Sequence, residues 1–136
     1  MNRIQALHQQ AMDLAEAAFT AKLRGDTVPG AQSDRTQADQ LLRQAFAKES
    51  EAAALVANDL DAEPTRSVLH RSAASLAIDC GEFQAAERLI ATALTGNPPK
   101  EIAEELRDLF IQINLRHYFE RHGIALEELP NSLQVI

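Results

Sequence analysis

Apolar positions recur along this chain every three or four residues. Ile4, Leu7, Ala11, Leu14 and Ala18 form the first series, a spacing that lines one face of a helix. It predicts a helix over about 3–23, ended by Gly25-Asp26, and a loop over about 27–32 that contains Pro29 and Gly30. A second helix over about 34–57 is predicted from Ala38, Leu42, Ala45, Phe46, Ala52, Ala53 and Val56, with Ser33 or Asp34 as N-cap. After a polar connection, Pro64 suits the first turn of a third helix over about 64–80, which carries Val68, Leu69, Ala73, Leu76 and Ala77. Gly81 ends it. Phe83, Ala86, Leu89, Ile90, Ala93 and Leu94 predict a fourth over about 83–95, with Gly96 as C-cap and Pro98-Pro99 beyond. Ile102, Leu106, Leu109, Phe110 and Ile113 predict a fifth over about 100–121, closed by His122-Gly123. Apart from the last few residues, no segment alternates as a half-buried strand does. The expected fold is all-α, with about five helices in antiparallel hairpins.

Self-similarity narrows this picture. Between Ser67 and Pro98, Ala74 offers a small residue where the next helix crosses. Gly81-Glu82-Phe83 offers a glycine, an acid and an aromatic at the turn. Ala86 and Ala93 stand seven apart with Ile90 between them, and Pro98 follows the second helix. Small residues let two antiparallel helices approach, one large residue fills the space between them, and Gly and Pro shape the ends. This stretch resembles a tetratricopeptide repeat (TPR), with Ala73 where the pattern has Leu and His70 where it has Trp. The first hairpin resembles a degenerate repeat. Leu14, Ala15 and Ala18 take its first-helix positions, and Ala38, Leu42 and Ala45 its second. It carries an insertion around 26–34, and Ser50 stands where the terminating Pro would be. The fifth helix resembles a cap. Residues 63–116 are also similar to bacterial TPR-like proteins of unassigned role. The resemblance implies a TPR-like α–α superhelix over 1–122, followed by an apolar C-terminal tail over 123–136. Regular arrays need about three repeats, so the long first two helices supply the missing core or the chain self-associates.

Composition agrees with closely packed helices. The 136 residues suit one domain, aromatic residues make up 4%, and there is no Trp. The net charge of -7 disfavours nucleic acid, whose phosphates an acidic chain repels. Cys80 is the only cysteine, which excludes an internal disulfide and reads as a small buried hydrophobe. Residues 1–5 do not read as a signal peptide, no apolar run reaches the length of a membrane span, and a cytoplasmic protein is expected.

The sequence carries no pattern of a common catalytic or metal site. No glycine-rich phosphate loop or HExxH occurs, and His117 and His122 stand five apart, on different sides of a helix. His8 and His70 are isolated in sequence. Glu104, Glu105 and Asp108 read as a solvated helix start favoured by the helix dipole. No enzyme activity, metal or cofactor is expected.

The expected function is therefore a protein-interaction module. The resemblance implies a concave surface lined by first-helix positions. These are Val68, Arg71, Ser75, Ile78 and Asp79 on the third helix, and Gln9, Met12, Glu16 and Phe19 on the first. Met12, Phe19, Val68 and Ile78 are the apolar anchors, and Arg71 is a candidate hot spot. Met12, Glu16 and Ser75 break the pattern that would grip a chaperone C-terminus. The partner is a protein or peptide of unspecified identity, with no nucleic acid or membrane. The alternative is a structural or regulatory homodimer using the fifth helix or the tail, whose Leu126, Leu129, Leu133, Val135 and Ile136 are apolar.

Overall fold

The computed structural model describes residues 2–28, 30 and 32–123. Five helices follow one another: α1 (Arg3–Thr27), α2 (Gln32–Val56), α3 (Thr65–Asp79), α4 (Phe83–Leu94) and α5 (Lys100–Arg121). No strand occurs among the described residues, so the fold is all-α. The tail segment 124–136 lies outside them. α1 packs on α2, α2 on α3, α3 on α4, and α5 on both α3 and α4.

α1 starts at a capping box. The Asn2 side chain accepts the N–H of Gln5, and the Gln5 side chain accepts that of Asn2. It does not stop at Gly25-Asp26 but runs on to Thr27, and Gly25 is buried inside it. Ala11, Ala18 and Gly25 stand seven apart on α1, and Ala38, Ala45 and Ala52 stand seven apart on α2; all six are buried. Residues this small let two antiparallel helices approach closely along a heptad seam. Gly25 thus continues a contact stripe and does not end a helix. α2 likewise begins two residues earlier than expected, which puts Asp34 in its first turn. Arg24 and Asp34 (3.8 Å), and Arg35 and Asp26 (3.9 Å), face each other across the end of the hairpin.

One seam position carries a charge. Glu49 is fully buried, and both its oxygens lie against His8 Nδ1, at 2.8 and 3.0 Å. Ser72 of α3 adds a hydrogen bond. Burial raises the Glu49 pKa above its ordinary 4.5, and the contacts with His8 and Ser72 offset part of that rise.

α3 ends in a left-handed Gly81 (φ 77°). Gly81 N–H donates to Ile78 C=O at 3.0 Å and Glu82 N–H to Ala77 C=O at 2.8 Å, the paired bonds of a Schellman turn. This sends α4 back along α3. Ala74, Ala77, Ala86, Ile90 and Ala93 are buried together there, with Leu106 of α5 closing the cluster. A second cluster joins Leu7, Ala52, Val56, Leu69 and Ala73, and so ties α3 to the first hairpin.

Arg66 binds the two hairpins a second time. It is buried, and its guanidinium donates to three carbonyls: Ala57 just past α2 (2.8 Å), and Thr92 (2.8 Å) and Ala93 (3.4 Å) in the last turn of α4. Carbonyls at helix C-termini lack partners and carry partial negative charge, which suits a cation. Gly96 makes room for this group: a Cβ there would overlap Arg66 Nη1. Its φ is not left-handed, since only Gly30, Gly81 and Gly123 have positive φ. The C-cap of α4 is Thr95. Gly96 therefore serves close approach, not the cap conformation expected of it. His70 is also buried, and its Nδ1–H donates to Arg66 C=O at 2.7 Å. Burial lowers its pKa, so it is neutral at pH 7.

Gly96→Ala should destabilise the protein by about 1–3 kcal/mol, since a methyl is forced against a side chain held by three bonds. In an Arg66→Met background that cost should fall towards zero, as read by urea unfolding of the four-protein cycle; equal costs in both backgrounds would separate the two residues. Glu49 holds its proton more tightly folded than unfolded, so its contribution to stability is present below pH 4.5 and is lost as the pH rises through its raised folded value. Glu49→Gln should therefore match or exceed the wild type at pH 8, by on the order of 1 kcal/mol, and lose that advantage as the pH falls towards 4.5. Thermal unfolding across this range checks the sign.

Candidate functional site

α1 and α3 both line one groove, and α5, which packs on α3, completes it. Met12 and Ala15 from α1, Leu76 from α3 and Leu109 from α5 floor a groove of about 500 Å³, rimmed by Arg71, Ser75, Glu105 and Asp108. The helical periods explain this set. Arg71, Ser72, Ser75 and Leu76 lie three and four apart on α3, and Glu105, Asp108 and Leu109 do so on α5.

Arg71 does not project freely into the groove. Its Nη1 donates to Glu105 Oε2 at 2.8 Å, joining α3 to α5. Glu105 is thus an ion-pair partner, where the sequence suggested a solvated helix start. Asp108 on the same rim leaves the groove with more negative than positive side chains.

The nine residues singled out from sequence divide among several faces, and Gln9 is exposed and donates to Asp13 of its own helix at 3.0 Å. Met12, Arg71 and Ser75 share the groove. Glu16 lies on another side of α1, in a depression that Gln37 and Leu41 of α2 complete. Phe19, 64% exposed, and Asp79 meet near Lys22 in a shallow cleft at the far end of α3. Ile78 belongs to a separate groove with Phe83 and α5. Val68 is half-buried and lines none of these grooves. The repeat pattern numbers first-helix positions as though successive helices stacked regularly, and the α1–α2 hairpin is much longer than α3–α4. Leu109, Glu105 and Asp108 were missed because the pattern assigns the surface to α1 and α3 alone. The stripe of Leu106 and Leu109 with acids beside it was the available signal.

Ser72 lies at the groove edge and also bonds Glu49, which holds His8. A hydroxyl, a carboxylate and an imidazole thus meet, but the carboxylate stands in the middle. Nucleophilic activation needs the imidazole between the other two. Cys80 is half-buried at the end of α3, and burial pushes its thiol up, so it stays protonated at neutral pH. Among the described residues no group of three or more His, Cys, Asp or Glu could hold a metal ion. Nor, among them, is any helix long and apolar enough to cross a membrane. No protein-family model matches the chain, and no curated protein or solved structure is significantly similar to it.

Arg71 and Glu105 are 29% and 54% exposed, so solvent screens their attraction. Glu105→Gln should cost no more than about 1 kcal/mol in urea unfolding. A larger loss would make the pair a structural clamp and not a rim available to a ligand.

Proposed function

We propose that the protein is a cytoplasmic, TPR-like interaction module that holds a segment of another protein in the α1–α3–α5 groove. The observation that carries this reading is an apolar floor under a charged rim, built on three helices. Sites on helices are held more firmly than sites on loops. The floor suits an aliphatic or aromatic anchor. The rim suits lysine or arginine, because Glu105 and Asp108 outnumber Arg71, and Arg71 is already paired. The preferred segment is therefore apolar with flanking positive charge. The order of Ser72, Glu49 and His8 supports a binding role over a catalytic one.

A second reading, a homodimer, rests on Ile111 and Tyr118. They stand seven apart on α5, 53% and 48% exposed.

Peptides selected on the protein from a random-sequence display library should be enriched in Lys or Arg beside large apolar residues. Met12→Asp should weaken their binding by about 2 kcal/mol, roughly thirty-fold in Kd, with little change in melting temperature. Undiminished binding would remove the groove from the reading. Under the homodimer reading, the full chain sediments as a dimer that Ile111→Glu dissociates, and a monomeric full chain rules that reading out.

A further inference from the structure

Arg71 and Glu105 meet at the rim of the α1–α3–α5 groove, and their bond is of a kind that a ligand can displace. Arg71 Nη1 donates to Glu105 Oε2 at 2.8 Å, and among the described residues this is the one hydrogen bond between them. A guanidinium and a carboxylate aligned fork to fork form two parallel bonds, so this pair uses half of what its chemistry allows. Both side chains also keep contact with solvent, 29% and 54% exposed, which weakens their attraction.

Asp108 stands three residues after Glu105 on α5 and lines the same groove. Side chains three apart are neighbours on one helix face. Among the described residues no cation lies at salt-bridge distance from Asp108. The charged residues of the groove lining are thus two acids and Arg71. A cation brought to this rim meets two carboxylates, whereas Arg71 bonds one.

We propose that Arg71 is an internal ligand of its own groove, holding Glu105 until a lysine or arginine of the bound segment takes its place. The inference rests on the reading of this groove as the binding site and adds a regulating residue to it. A segment without a cation leaves Arg71 in place and gains nothing from the acids. A basic segment gains both acids but must first release Arg71. Arg71 therefore weakens the binding of the ligand that the groove suits, the reverse of the hot-spot role expected of it.

Two substitutions separate this role from a brace between α3 and α5. Arg71→Met and Glu105→Gln break the same pair, so a brace responds to both alike. A competitor for the acids responds to them in opposite directions. The probe is a fluorescein-labelled peptide with a leucine–phenylalanine pair flanked by lysines, beside a twin with glutamine for each lysine, and anisotropy on the full chain gives Kd. In low salt, Arg71→Met should tighten the lysine peptide about three-fold and Glu105→Gln should loosen it about three-fold. Both effects should shrink in about 0.5 M sodium chloride, and the glutamine twin should respond to neither substitution. Shifts in the same direction, no tightening by Arg71→Met, an equal response of the twin, or no binding of the lysine peptide to any of the three proteins overturns the proposal. Met12→Ser, which removes apolar floor without adding charge, distinguishes the two failures. If it weakens the lysine peptide while Arg71→Met does not tighten it, the groove stands and the internal ligand falls. If it leaves both peptides undiminished, the groove reading falls and takes the proposal with it.

Discussion

The relation between the two hairpins depends on one buried cation. A guanidinium withdrawn from water costs several kcal/mol unless its donors are satisfied. Arg66 meets that condition with carbonyls from the ends of α2 and α4, where the helix dipoles are negative. The bonds run in fixed directions from a planar fork. They therefore hold two helix ends at a set distance and angle, and α3, which carries Arg66, between them. Gly96 is glycine because the fork passes where a Cβ would stand. His70 stands where the repeat pattern has Trp, and it is kept neutral by burial while it ties down the Arg66 carbonyl.

The α1–α2 seam solves a different problem. Alanine and glycine bury little apolar area each, so such a contact gains its stability from closeness along its length. Small uniform residues also specify register poorly. The Glu49–His8 pair corrects this. A slip of one heptad would set Glu49 against Ala15 in place of His8 and leave a buried carboxylate without its partner. The cost of burying Glu49 is visible in its raised pKa, and the contacts with His8 and Ser72 recover only part of it.

These two constraints shape the surface. With α3 fixed by Arg66 and the first hairpin held in register, Met12 of α1 comes to face Arg71 and Ser75 of α3. α5 docks through Leu106 and supplies the third wall. α3 turns Ile78, three residues after Ser75, towards the separate groove it shares with Phe83 and α5. One helix thus contributes to two recesses, each with apolar side chains and two acids in its lining.

Helix identity was legible in the residues because the period of apolar positions and the punctuation by Gly and Pro are local properties. α5 spans the same residues as expected, and Gly81 turns α3 into α4 as its neighbours suggested. Gly25 and Gly96 show where local reading stops. Glycine marks an end when nothing else is near, but here one faces α2 and the other faces Arg66, and neither neighbour is close in sequence. The same holds for the site. Met12, Arg71 and Ser75 could be named from a repeat pattern, whereas Glu105, Asp108 and Leu109 join them only because α5 packs on α3. Glu49, His8 and Ser72 are separated by 41 and 23 positions, and no periodicity relates them. Spacing along the chain fixes which face of a helix a residue occupies. Which face of another helix it meets is set by packing across the whole molecule.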